Sequence, residues 1–255
     1  MKVFLGFDPA ESRACTVAQN SIYRTTGFGD AVALTRISRL TLRERYTRPT
    51  STLPSGQLFD DLSDAPMSTD HAIARFWVPL LSDYQGVALF TDGDVLVRED
   101  LRSLFALADP RYAVQVVQHP PLLTEGTKKT GVVQQAYPRK NWSSVILWNC
   151  AHPAHRALTP EVLNTWPGRE LHAFGWLRDD EIGALPDTWN YLVGVSAPQT
   201  HPALVHFTLG TPDLPGHADD PFAEEWWAIA RAAGYQREQG VRLTEEGLRA
   251  SAMIS

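Results

Sequence analysis

The stretch "VALFTDGDVLVRED", residues 87–100, decides how the chain is read. Val87-Ala88-Leu89-Phe90 is an apolar run of strand length that delivers the chain to Asp92-Gly93-Asp94, and Val95-Leu96-Val97 then resumes the apolar character. Asp-Gly between two short apolar runs is the strongest local signal for a β-hairpin, and on this stretch alone the hairpin is favoured. The competing reading is a metal site. Side chains two apart on an extended chain point to the same side, roughly 6.5 Å apart along it. Asp92 and Asp94 would then hold one divalent cation, directly or through water, and Gly93 would leave room for a ligand to approach the backbone.

Outside this stretch the composition narrows the classes. A chain of 255 residues suffices for one large α/β domain or two small ones. Its 44% hydrophobic and 20% charged residues are those of an ordinary soluble globular protein. A net charge of −6 argues against nucleic acid as the main partner. Cys15 and Cys150 fit no C-x-x-C or zinc spacing and read as reduced, buried thiols. "KVFLGFD" at the start is too short for a secretion signal, and no stretch approaches a membrane span, so a cytoplasmic protein is expected.

Strand and helix patterns alternate through the first half. "KVFLGFDP" and "AVALTRI" read as buried strands around a helix that places Ala14, Val17, Ala18 and Ile22 on one face. Residues 40–67, rich in Thr, Ser, Pro, Asp and Arg, read as a long loop region. "STDHAIARFWVPLLSDYQG" predicts a helix capped by Ser68 and Thr69 and kinked or shortened at Pro79. After the strand at 87–91 come a short helix in "EDLRSLFALAD", a strand in "YAVQVVQH", and a polar loop over 119–141 carrying Lys128, Lys129, Arg139 and Lys140. "WSSVILWNC" is a strand, Thr159-Pro160 opens a helix, and "ELHAFGWLRDDEIGALP" reads as helical. "ALVHFTLG" is a late strand, and "PFAEEWWAIARAAG" an amphipathic helix before the tail. Such alternation favours a mostly parallel sheet, in which ligands bind outside the carboxyl ends of strands. Asp8, Asp92 and Asp94 all stand at such ends, which favours the site over the hairpin.

In this order several motifs resemble the nucleotide-sugar glycosyltransferases of GT-A fold, most closely glycosyltransferase family 8 and its bacterial relatives. "ALFTDGDVLVREDL" looks like that family's strand ending in a DxD metal motif, and "HAIARFWVPLL" like the helix before it. "NWSSVILWNC", "RDDEIGALPDTWNYLVG" and "LVHFTLGTP" look like its "FNSGVMLIN", "DQDxLN…LPxxWN" and "HYxGxxKPW" segments. The resemblance implies an α/β fold, a mixed, mostly parallel Rossmann-like sheet flanked by helices. One domain over 1–255 is implied. Its nucleotide-sugar half covers about 1–118, its acceptor and catalytic half about 119–212, and a C-terminal helix and tail 213–255.

It also implies roles. Asp92, Asp94 and His206 match the ligands of Mn²⁺, with Mg²⁺ as the alternative. Gly6, Phe7 and Asp8 match the strand end that receives uracil and ribose. Arg75 matches an arginine facing the donor phosphates, and Gly93 and Gly210 fall in donor-binding segments. Asp179 and Asp180 fall beside the transferred sugar, where a carboxylate would support oxocarbenium character. Trp142, His172 and Trp176 are candidates for an acceptor pocket. The implied reaction moves a hexose from a nucleotide sugar, in the first instance a UDP-sugar, to a glycan or other acceptor with retention. The chain departs from the pattern twice. "GTPDLP" lacks the family's phosphate-contacting lysine, and Asp180 stands where the family has glutamine. A non-catalytic nucleotide- or glycan-binding protein is the alternative, and a sugar nucleotidyltransferase ranks lower because "GFDPAESRAC" lacks a Gly-rich basic loop.

Overall fold

The computed structural model describes residues 1–27, 31–120, 126–127, 133–134, 139 and 141–237. Lys128, Lys129, Lys140 and the tail beyond Arg237, on which expectations were placed, lie outside the described residues.

Alternating apolar segments build a six-stranded sheet. In chain order the strands are β1 (Lys2–Gly6), β2 (Ala33–Ile37), β3 (Thr50–Thr52), β4 (Leu58–Asp60), β5 (Ala65–Pro66), β6 (Val87–Thr91), β7 (Val95–Val97), β8 (Val114–Val116), β9 (Gly126–Thr127), β10 (Val133–Gln134), β11 (Val145–Asn149), β12 (Ile182–Ala184), β13 (Tyr191–Leu192) and β14 (Leu204–His206). The main sheet has the order β12-β8-β11-β6-β1-β2. β1 pairs parallel with β2 and β6, and β12 parallel with β8, while β11 runs antiparallel to both its neighbours. The sheet is therefore mixed and mostly parallel, as expected.

Period-two alternation divides its two faces. Phe4, Phe90, Ile146 and Trp148 pack on one side with Phe76 and Trp77. Val3, Leu5, Leu89 and Leu147 pack on the other with α1 (Ser12–Thr26) and the short helix Leu101–Phe105. Each such side chain, fully buried, contributes roughly 1.5–3 kcal/mol. A third cluster joins Val17 of α1, Leu96 of β7, Val205 of β14 and the tryptophans Trp226 and Trp227 of the C-terminal helix Ala223–Ala232.

The hairpin, the rival reading of this stretch, is ruled out for a topological reason. Both edges of β6 are occupied, by β1 and by β11, so β7 has no free edge to pair with. The chain instead crosses at Asp92-Gly93-Asp94 into a separate sheet of order β13-β14-β7. There β7 runs antiparallel to β14, with Val95 opposite His206.

Three local expectations are also corrected. Residues 50–66 are a three-stranded antiparallel meander, β3-β4-β5, within the region read as loop. A buried ion pair explains how so polar a segment folds: Arg48 Nε and Nη2 meet Asp60 Oδ1 and Oδ2 at 2.8 and 2.5 Å, and Nη1 donates to the Trp166 carbonyl at 2.6 Å. The segment at 68–81 is a 3-10 turn, Ala74–Trp77, followed by a single helical turn, Val78–Leu81. Pro79 has no N–H to return to the Arg75 carbonyl, which restarts the helix at that point. Finally, the segment read as one helix over 170–186 is helical only over Gly168–His172; it then forms a 3-10 turn at Asp179–Glu181 and the edge strand β12.

Candidate active site

The candidate centre sits where the carboxyl ends of β1 and β6 meet the start of β11. The Asp92 amide donates to the Ser144 carbonyl at 2.9 Å, and the Phe207 amide to the Asp94 carbonyl at 3.0 Å. These bonds tie the Asp-Gly-Asp crossing to β11 on one side and to β14 on the other. Gly93 is required by a close backbone approach: a Cβ there would lie 2.5 Å from the Gly6 carbonyl oxygen. Gly6 in turn is backed by the His71 ring, whose Cδ2 would lie 2.6 Å from a Cβ.

Asp92, Asp94 and His206 each offer one ligand atom, all within 4.8 Å of one another. His206 Nε2 is 3.2 Å from Asp94 Oδ1 and 3.9 Å from Asp92 Oδ2. Its tautomer follows from the network behind it. Asn190 Nδ2 donates to Ser144 Oγ at 2.9 Å, which turns Asn190 Oδ1 toward His206 Nδ1 at 3.1 Å. With the amide so turned, Nδ1 is the nitrogen that donates to Asn190 and Nε2 is the one that faces the carboxylates. Two carboxylate oxygens and an imidazole lone pair facing one another repel unless a cation or a proton lies between them. The donor set is that of a divalent cation such as Mn²⁺ or Mg²⁺, and the imidazole is oriented from behind as metal-binding histidines are.

Asp92 is held as a carboxylate. Burial pushes its pKa up, but the Arg75 guanidinium and the hydrogen bond and charge of His71 outweigh burial and leave it below the usual carboxylate range. Arg75 Nη2 and His71 Nε2 lie 2.9 and 3.1 Å from Asp92 Oδ1. Beside them Ser143 Oγ is 2.8 Å from His172 Nδ1. Burial and the Arg75 charge push His172 down to about 3, so it stands neutral.

These side chains line a cleft of about 210 Å³. Its lining also takes in Asp60 and Ser63 of the meander, Thr69 just beyond it, and Gly168 and Arg169 at the start of the helix Gly168–His172. The sequence reading brought Asp92, Asp94, His206, Arg75 and His172 to this place, and the structure collects them there. His71, Asn190, Ser143 and Ser144 were missed: each is an unremarkable polar residue in its own segment, and only tertiary packing aims it.

Other expected residues lie elsewhere. Phe7 is half-buried under the Arg36 guanidinium, 5.4 Å from the ring centroid. Asp8 accepts from the Ala10 and Asp70 amides, both at 2.9 Å. Gly210, at φ 149°, packs against the His217 ring. Trp142 donates Nε1 to the His119 carbonyl at 2.8 Å, and Trp176 stacks on Trp148. None of the five lines the cleft. Asp179 and Asp180, expected beside the transferred sugar, are likewise not among the residues lining the cleft. Asp179, 92% exposed, pairs with Arg139, and Asp180, 73% exposed, pairs with Arg178. The 3-10 turn directs only the third acid inward: Glu181 is buried and accepts the Arg178 amide at 2.8 Å.

The mixed α/β sheet has the fold of the solved glycosyltransferases of GT-A type. The chain is similar to the galactosyltransferase LgtC solved with donor and acceptor sugar analogues (15% identity, 94% of this chain and 98% of that chain, TM-score 0.53). It is also similar to the glycosyltransferase GlyE of Streptococcus pneumoniae TIGR4 (14% identity, TM-score 0.53), covering 90% of this chain but spanning only 60% of that one. No protein-family model matches the chain. In sequence it is 41% identical over 232 residues to Protein CDI of Arabidopsis thaliana, covering 88% of this chain and 84% of that protein. The chain belongs to the family of Protein CDI.

Proposed function

We propose that the protein is a metal-dependent glycosyltransferase of the family 8 type. It moves a hexose from a UDP-sugar to a glycan or other acceptor, with retention. The observation that carries this reading is the convergence of Asp92 and Asp94, on the crossing between two sheets, with His206 on β14, at the ligand-binding edge of a GT-A fold. A bound Mn²⁺ or Mg²⁺ would neutralise the charge that builds on the departing diphosphate. The chain's own residues do the rest. Arg75, buried beside Asp92, adds positive charge to that end of the cleft. The Ser143–His172 pair and the wall of Asp60, Ser63 and Thr69 offer polar groups to the transferred sugar. Asp60 is already neutralised by Arg48, so it presents polarity without net charge.

In this reading residues 1–118 receive the nucleotide sugar, with Phe7 and Asp8 toward the base and ribose and Gly210 on the diphosphate side, and 119–212 form the acceptor half. Both cysteines are unpaired, which suits a reducing cytoplasmic setting. No helix among the described residues is long and apolar enough to cross a membrane.

Release of UDP from a panel of UDP-sugars, with Mn²⁺ and with chelator, tests the proposal. Turnover that stops with chelator supports it. Tight binding of UDP and Mn²⁺ without turnover on any donor or acceptor would favour a nucleotide-binding protein. A preference for GDP over UDP would remove the uracil assignment.

A further inference from the structure

His71 costs the fold something. Its side chain is 2% exposed, and its Nδ1 has no hydrogen-bond partner among the described residues. Leaving a buried polar atom of this kind unpaired is destabilising, and an apolar side chain of similar size would fill the space against Gly6 without that loss. What the imidazole supplies is the other nitrogen, Nε2, 3.1 Å from Asp92 Oδ1. Arg75 reaches the same oxygen at 2.9 Å. The remaining Arg75 nitrogens are also engaged, Nε on the Ala72 carbonyl at 3.0 Å and Nη1 on the Ser143 carbonyl at 2.7 Å. Two donors on Oδ1 from two directions fix the rotation of the carboxylate. The free choice of which oxygen faces the centre is thereby removed, and Oδ2 is the one turned toward His206 Nε2.

We infer that His71, together with Arg75, is a positioning residue for a divalent cation at Asp92, Asp94 and His206: it engages Asp92 Oδ1 so that Oδ2 is presented to the ion. The inference rests on the metal-dependent reading above. It also gives Arg75 a role that the sequence did not suggest, as a clamp on a metal ligand. Gly6 enters the same chain of contacts, because only a residue without Cβ lets the ring lie where its Nε2 meets Asp92.

The test is a titration with Mn²⁺ alone, followed by the electron paramagnetic resonance of the free ion, alongside thermal unfolding of the metal-free proteins. His71→Leu keeps the volume and removes the donor, and should raise the Mn²⁺ dissociation constant roughly 10–100-fold, the usual cost of losing a group that orients a ligand. His71→Gln restores an N–H at similar reach and should recover most of that loss. Gly6→Ala, which pushes the ring off its seat, should weaken Mn²⁺ in the same direction and covers the case of a His71→Leu protein that does not fold. Parent-like Mn²⁺ affinity in His71→Leu or Gly6→Ala overturns the inference while leaving the metal site standing. So does a folded His71→Gln protein as weak as His71→Leu. A parent protein that binds no Mn²⁺ overturns both this inference and the metal-dependent reading.

Discussion

Gly93→Ala asks whether the crossing at Asp92–Asp94 is as tightly seated as its contacts require. The added Cβ would lie 2.5 Å from the Gly6 carbonyl oxygen, which is backbone and has no rotamer to escape through. Restoring an ordinary contact means moving the crossing or the end of β1 by roughly 1 Å, and forced overpacking of this kind costs about 1–3 kcal/mol. A gain of about 0.4–1 kcal/mol from a stiffer unfolded chain offsets part of that. For a chain of this size each kcal/mol corresponds to about 2–4 °C, so Tm should fall by a few degrees. The displacement falls directly on Asp92 and Asp94, the proposed metal ligands. It should therefore weaken Mn²⁺-dependent UDP binding by more than the loss of stability alone accounts for, since about 1 Å of misplacement can cost a hundredfold at a functional centre. Differential scanning fluorimetry with and without Mn²⁺ and UDP reads both effects. A variant that melts within a degree of the parent and shows the same ligand-induced shift would refute the argument.

Four further outcomes are expected. Asp94→Asn and His206→Ala proteins should stay folded, yet lose most of the Mn²⁺-dependent UDP binding that the proposed function leads one to expect of the parent in calorimetry. Gly6→Ala should destabilise the parent but cost much less in a His71→Ala background, because the atom it collides with is gone; equal penalties in the two backgrounds would argue against the packing described. Burial pushes His155 down to about 4 from an ordinary 6.5. The unfolded chain then takes up the proton first, so its contribution is fully present above pH 6.5 and falls by about 1.4 kcal/mol per pH unit below that until the folded value is reached; urea titrations from pH 7 to 5 should show a shallower decline in His155→Gln. Asp180→Asn should keep most of the UDP-sugar turnover proposed for the parent, since the carboxylate it alters lies on Arg178 in solvent.

The sequence by itself determined the apolar strands, their alternation with helices through the first half, and the acidic pair at a strand end. These features are local: a period of two, a run of apolar residues and a spacing of two between carboxylates are all written in a few consecutive positions. Even His206, far along the chain, was legible through the resemblance of its short segment. What only the tertiary structure decided depends on who occupies which edge and which side of a turn. Asp92-Gly93-Asp94 carries every local mark of a hairpin. It becomes a crossing because β1 and β11 have already taken both edges of β6. Asp179, Asp180 and Glu181 look alike as a run of acids, and the 3-10 turn sends two to solvent and one inward. Residues 50–66 have no periodicity to announce strands, because short antiparallel strands pinned by a buried Arg48–Asp60 pair do not need an apolar stripe. His71 and Asn190 contribute through one nitrogen and one amide whose partners lie 21 and 16 residues away. A side chain's aim across such distances is set by packing, and no spacing within its own segment records it.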